Sequence, residues 1–81
     1  MMERELYLSN RIDQLFTRIR QLKASLPRLE EARDYAYGNE PARVWYEANV
    51  RANECRREIK RDEKEMAQLK RELEQIRQRR R

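Results

Sequence analysis

The chain has 81 residues, 43% of them charged, with a net charge of +5, one glycine, two prolines, one cysteine and no histidine. Its length allows one small domain, and few breakers among many Glu, Arg, Lys, Gln, Leu and Ala residues is the profile of long helices or coiled coils. With no histidine and only Cys55, the chain excludes an internal zinc-ligand set, a Ser–His or Cys–His catalytic pair and an internal disulfide.

The first predicted element is a helix over about residues 3–37. Leu8, Ile12, Leu15, Ile19, Leu22, Leu26 and Leu29 follow one another at spacings of 4, 3, 4, 3, 4 and 3, an unbroken heptad seam. The pattern continues more weakly to Arg33 and Ala36. Pro27 falls inside this helix, where it removes one backbone hydrogen bond at a cost of about 3 kcal/mol. Leu26 and Leu29 stay in phase across it, so the expectation is a kink near Pro27, or a short break capped by Ser25.

A turn is predicted at residues 38–40. Gly38 is suited to the left-handed conformation that closes a helix. Asn39 is a good cap for the next helix, with Pro41 in its first turn.

The second helix is predicted over about residues 41–78. Trp45, Ala48, Ala52, Cys55, Ile59, Asp62, Met66, Leu69, Leu73 and Ile76 repeat at spacings of 3 and 4, with only Asp62 breaking the apolar run. So short a connection folds the two helices back antiparallel. Facing seam positions then share a constant total of residue numbers. A total of 81 pairs Leu8 with Leu73, Leu15 with Met66, Ile19 with Asp62, Leu22 with Ile59 and Ala36 with Trp45. It also puts the bend between Glu40 and Pro41, beside the breaker found independently.

The expected fold is therefore all-α: a single antiparallel two-helix coiled-coil hairpin over residues 1–81. Little core is buried by so short a chain, so dimerisation into a helical bundle is expected. A lone carboxylate at the Asp62 seam position is unfavourable. It calls for a partner such as Arg18 or an arginine of another chain, unless the side chain leans out to solvent.

Off the seam, Tyr7, Phe16, Tyr35, Tyr37, Val44, Tyr46 and Val50 are apolar or aromatic. Four of the six aromatics fall between Tyr35 and Tyr46, around the single glycine. One reading has Tyr35, Tyr37, Val44, Trp45, Tyr46 and Val50 form a mini-core that locks the turn. The other makes them a docking surface for a second copy or another protein, since Tyr and Trp bring large rigid area with a polar tip. Phe16 extends a dimer contact on the second reading.

The charge is local. Residues 1–40 hold seven basic and seven acidic side chains; residues 41–81 hold thirteen and eight. Arg77, Arg79, Arg80 and Arg81 make a basic tail over residues 77–81, suited either to phosphate contacts or to a solvated helix end. Arg56, Arg57, Lys60, Arg61 and Lys64 add positive charge upstream, but Glu54, Glu58, Asp62, Glu63 and Glu65 interleave with them. In sequence that reads as a salt-bridged solvent face. The pairs Glu30–Glu31 and Glu72–Glu74 lie on helix surface with no pocket implied, and Cys55 reads as a small seam hydrophobe.

These features point away from an enzyme, and no cofactor or metal is implied. The leading expectation is a protein–protein interaction module, an adaptor or inhibitor of the sort phages and mobile elements encode, docking through the aromatic tip and exposed helix faces. A nucleic-acid-binding accessory protein using the basic residues, an inhibitor of a nucleic-acid enzyme, and a structural assembly scaffold are the alternatives. The lone thiol suits a reducing cytoplasm. No stretch approaches the ~20 apolar residues of a membrane span, and the start "MMERELYLSNR" lacks a signal-peptide pattern.

Overall fold

A computed structural model describes residues 2–80. Two helices make up the fold: α1, Met2–Asn39, and α2, Ala42–Arg79. Each has 38 residues, or about 57 Å at 1.5 Å per residue. The molecule is 61 Å long and 14–15 Å across, so the helices run side by side for its whole length. The chain is an antiparallel helical hairpin.

Burial follows the heptads. All the predicted seam residues of both helices are buried or half-buried. Leu8, Leu15, Ile19, Ala36, Ala52, Cys55, Ile59 and Leu73 form the apolar core, and Leu8 and Leu15 are the large side chains most completely enclosed.

Ion pairs along the two edges of the seam match its register. On one edge, Arg4–Glu72, Arg11–Glu65 and Arg18–Glu58 repeat every heptad, each pair of residue numbers totalling 76. On the other, Lys23–Glu63 and Glu30–Arg56 total 86. The seam total of 81 lies midway between them. These pairs are part-exposed and contribute little stability each, about 0–1 kcal/mol. Their larger effect is against slippage. A one-heptad slip in one direction faces Arg18 with Arg51 and Lys23 with Arg56; in the other it faces Arg4 with Arg79 and Glu30 with Glu63. Either slip sets these like charges opposite each other, while keeping attractive pairs such as Arg11 with Glu58 or Glu72.

The bend is tighter than expected and uses different chemistry. Gly38 is helical, and no described glycine has positive φ. The helix instead ends ahead of Pro41, which supplies no N–H and disfavours helical geometry in the residue before it. Asn39 does not cap α2. Its side-chain amide donates to the Tyr35 carbonyl at 2.7 Å, and the Glu40 amide donates to the Ala36 carbonyl at 3.1 Å, so the end of α1 receives the hydrogen bonds. Pro41 lies just before α2, at the N-cap, where its carbonyl accepts from the amides of Val44 and Trp45.

Pro27 does not interrupt α1. Ser25 caps no break there: its hydroxyl donates back to the Gln21 carbonyl at 3.0 Å. Pro27 and Lys23 are both on exposed surface, where water can serve the carbonyl that loses its donor.

Candidate functional site

The closed end of the hairpin carries the densest group of unabsorbed apolar side chains. Trp45 occupies a seam position opposite the small, buried Ala36, which makes room for the indole. Tyr37 meets Trp45 edge-to-face, with ring centroids 6.0 Å apart and planes at 64°. Packing of the group largely stops there. Tyr35, Tyr37 and Tyr46 are 63%, 76% and 62% exposed, and Val44 is 38% exposed. Val50 is half-buried one helical turn after Tyr46, and together with Glu47, Arg51 and Glu54 they line a shallow depression. The heptad explains this arrangement. Trp45 points into the seam, while Tyr35 and Tyr46 lie on outward positions that a second helix cannot reach. A mini-core that locks the turn does not account for these residues.

Farther along α1, Tyr7 and Phe16 are also exposed, each beneath an arginine: Arg4 over Tyr7 at 5.3 Å and Arg20 over Phe16 at 6.0 Å. Leu6 is 62% exposed. It escaped the sequence reading, although its place two residues before Leu8, off the seam, marks it.

The basic residues divide in a way the linear sequence conceals. Arg56 is engaged by Glu30 at 2.7 Å and by Asn53 at 3.1 Å. Arg80 closes the open end of the hairpin through Glu5 at 2.8 Å. The Glu5 oxygen Oε1 is buried with no hydrogen-bond partner. Arg77 and Arg79 belong to the last turn of α2 and are exposed, while Arg81 lies outside the described residues. Arg57, Lys60, Arg61 and Lys64 are exposed, and among the described residues none has an acidic partner within 4 Å.

Of the acidic residues interleaved with them, Glu54 is exposed and faces out, and the others point elsewhere. Glu58, Glu63 and Glu65 pair with Arg18, Lys23 and Arg11 of α1, and Asp62 is buried in the seam. The expected salt-bridged solvent face is therefore two surfaces. Between Glu54 and Glu74, acidic residues line the edges that grip α1 and basic ones face out. Arg71 continues the outward row and was missed by reading charges in order; its place fourteen residues, two heptads, after Arg57 is the signal for it.

Asp62 does not lean out to solvent; it is 3% exposed. Arg18 Nε stands 3.1 Å from its Oδ2, yet that oxygen accepts no hydrogen bond. The N–H is not aimed at the carboxylate, so the contact is an ion pair of poor geometry. Cys55 is buried and free, with its thiol 3.4 Å from the Leu22 carbonyl. Burial pushes its pKa up, Glu58 and Glu30 add to the rise, and Arg56 opposes it. The direction favours the protonated thiol.

The carboxylates Glu30 and Glu72 are taken by Arg56 and Arg4. Among the described residues no three Cys, Asp or Glu side chains converge to hold a metal, and no helix is long and apolar enough to cross a membrane. No protein-family model, curated protein or solved structure matches the chain.

Proposed function

We propose that the hairpin is a non-enzymatic protein-interaction module, an adaptor or inhibitor, that docks on a partner protein through its closed end. The observation that carries this reading is the exposure of Tyr35, Tyr37, Tyr46 and Val44 around the bend. A tyrosine brings large contact area on only two rotatable side-chain bonds, so ordering it on binding costs little conformational entropy. At 150–250 Å² per aromatic, the exposed parts of the three tyrosines offer roughly 300–500 Å². Split between the two edges of the hairpin, with Tyr37 and Tyr46 on one and Tyr35 on the other, that total falls short of the ~800 Å² per partner of a standard stable interface. The tip therefore inserts into a concave partner or forms one end of a longer contact. The buried free thiol of Cys55 suits a cytoplasmic protein.

A homodimer is the second reading. It is favoured by Phe16 and Leu6, which lie on the same side of α1 and are both exposed.

Affinity capture with the tagged chain tests the first reading. The Tyr37→Ala/Tyr46→Ala variant is expected to keep its helicity and lose its captured partner by at least ~30-fold in affinity, the scale of a hot-spot pair. Phe16→Ala is expected to retain it. Retention by the tip variant overturns the proposal. Light scattering on the same proteins reads the dimer: a mass that halves in Phe16→Ala and not in the tip variant assigns self-association to the α1 side.

A further inference from the structure

Heptad geometry sorts the charges of α2 by direction. Seam-edge positions go to Glu58, Glu63, Glu65 and Glu72, each held by a basic residue of α1. The outward positions between them go to Arg57, Lys60, Arg61, Lys64 and Arg71. All five are exposed and without an acidic partner within 4 Å among the described residues. Only Ala67 and Gln68 share that strip, and no acidic residue interrupts it between Glu54 and Glu74. The outward face of α1 is acidic by contrast, with Glu3, Asp13, Glu31 and Asp34 against Arg20 and Arg28. The molecule is 14–15 Å across, more than the ~8 Å Debye length at physiological salt. A ligand laid along residues 57–71 of the outward face therefore meets only basic charged side chains there, with the acids of α2 set at the seam edges and at Glu54 and Glu74 beyond the two ends of the row.

We propose that this outward face of α2 binds the phosphate backbone of duplex nucleic acid without reading its sequence. From Arg57 to Arg71 the row is about 21 Å long at 1.5 Å per residue, the rise of roughly six base pairs. Lysine and arginine without protein partners are the groups that displace counterions from phosphates. The same face argues against other polyanions. It carries no aromatic side chain on which an unpaired base would stack. It has no large apolar residue to enter a lipid interface. It also lacks the apolar or aromatic anchor that an acidic protein partner would need at the centre of a contact. This surface is separate from the aromatic tip and does not depend on it.

Neutralisation of about four phosphates gives a log–log salt slope near −3.6, so affinity falls roughly a hundredfold between 50 and 200 mM salt. Fluorescence anisotropy with a mixed-sequence 20-base-pair duplex measures this directly. Lys60→Gln/Arg61→Gln/Lys64→Gln is expected to bind at least tenfold more weakly at 50 mM salt, with a slope shallower by about 2.7. Arg20→Gln/Arg28→Gln/Arg43→Gln removes the same charge from other places and is expected to cost less than threefold. All six side chains are exposed and make no ion pair, so both variants keep the hairpin, as circular dichroism will show. The tip variant Tyr37→Ala/Tyr46→Ala is expected to bind duplex as the parent does, which keeps failure of this proposal distinct from failure of the docking one. Equal losses in the two triple variants would mean that net charge alone matters. That result, no duplex binding at 50 mM salt, or preference for a 20-nucleotide single strand or phosphatidylserine vesicles over the duplex, overturns the proposal.

Discussion

Leu15→Ala is expected to destabilise the hairpin by about 2–4 kcal/mol, a fall on the order of 10–25 °C in thermal midpoint for a chain this size. Leu15 is 1% exposed and is one of two large side chains fully enclosed between the helices. In a core only one side chain deep, few neighbours can close over the vacated space. Phe16 is the internal control. It is the larger residue and the immediate neighbour, yet it is half exposed. Phe16→Ala is expected to move stability by about 0.5 kcal/mol or less. Urea or thermal melts followed by circular dichroism compare the two. Similar losses would mean that Phe16 is covered in solution, and a small loss in Leu15→Ala would mean that the seam does not hold the helices together.

Asp62→Leu is expected to act in the opposite direction. The carboxylate stands opposite Ile19, buried in the apolar seam, and its one cationic neighbour is half exposed and badly aimed. Burial of a charge costs several kcal/mol, and an ion pair of this geometry offsets that only in part. A leucine there completes the run from Ile59 to Met66. The expected gain is about 1–3 kcal/mol, or roughly 5–20 °C. Arg18→Leu is the companion variant. It leaves the buried carboxylate with no cation beside it and is expected to destabilise. If Asp62→Leu destabilises as well, the carboxylate makes a contact that outweighs its desolvation, and its description as a weak point in the seam is wrong.

Two features of the sequence explain what could be read in advance. Heptad spacing is a local property, and the antiparallel register follows from two such patterns and one short connection. The seam residues from Leu8 to Ile76 were therefore legible. The details of the bend were not. Gly38 and Asn39 allow a left-handed closure and an N-terminal cap, but Pro41 ends α1 without either, and a propensity does not say which of two compatible devices the chain will use. The charge pattern was misread for a related reason. Glu58, Asp62, Glu63 and Glu65 alternate with basic residues along the chain, yet a 3.6-residue repeat turns nearly all the acids toward α1 and Arg57, Lys60, Arg61 and Lys64 away. Only projection on the helix separates the two. The aromatic tip was legible as a group, but its division between Trp45 inside and Tyr35, Tyr37 and Tyr46 outside needed the packing around Ala36.

The central claim is that the two halves of the chain lie antiparallel, and a pulsed electron-resonance distance tests it most directly. Spin labels go on Asp13→Cys and Gln68→Cys in a Cys55→Ala background, both at exposed positions, level with one another on the outward faces of the two helices. A distance of about 20–30 Å, two adjacent helix diameters plus the label arms, is predicted. A continuous helix would hold the labels about 80 Å apart, and a distance near that value would contradict the hairpin.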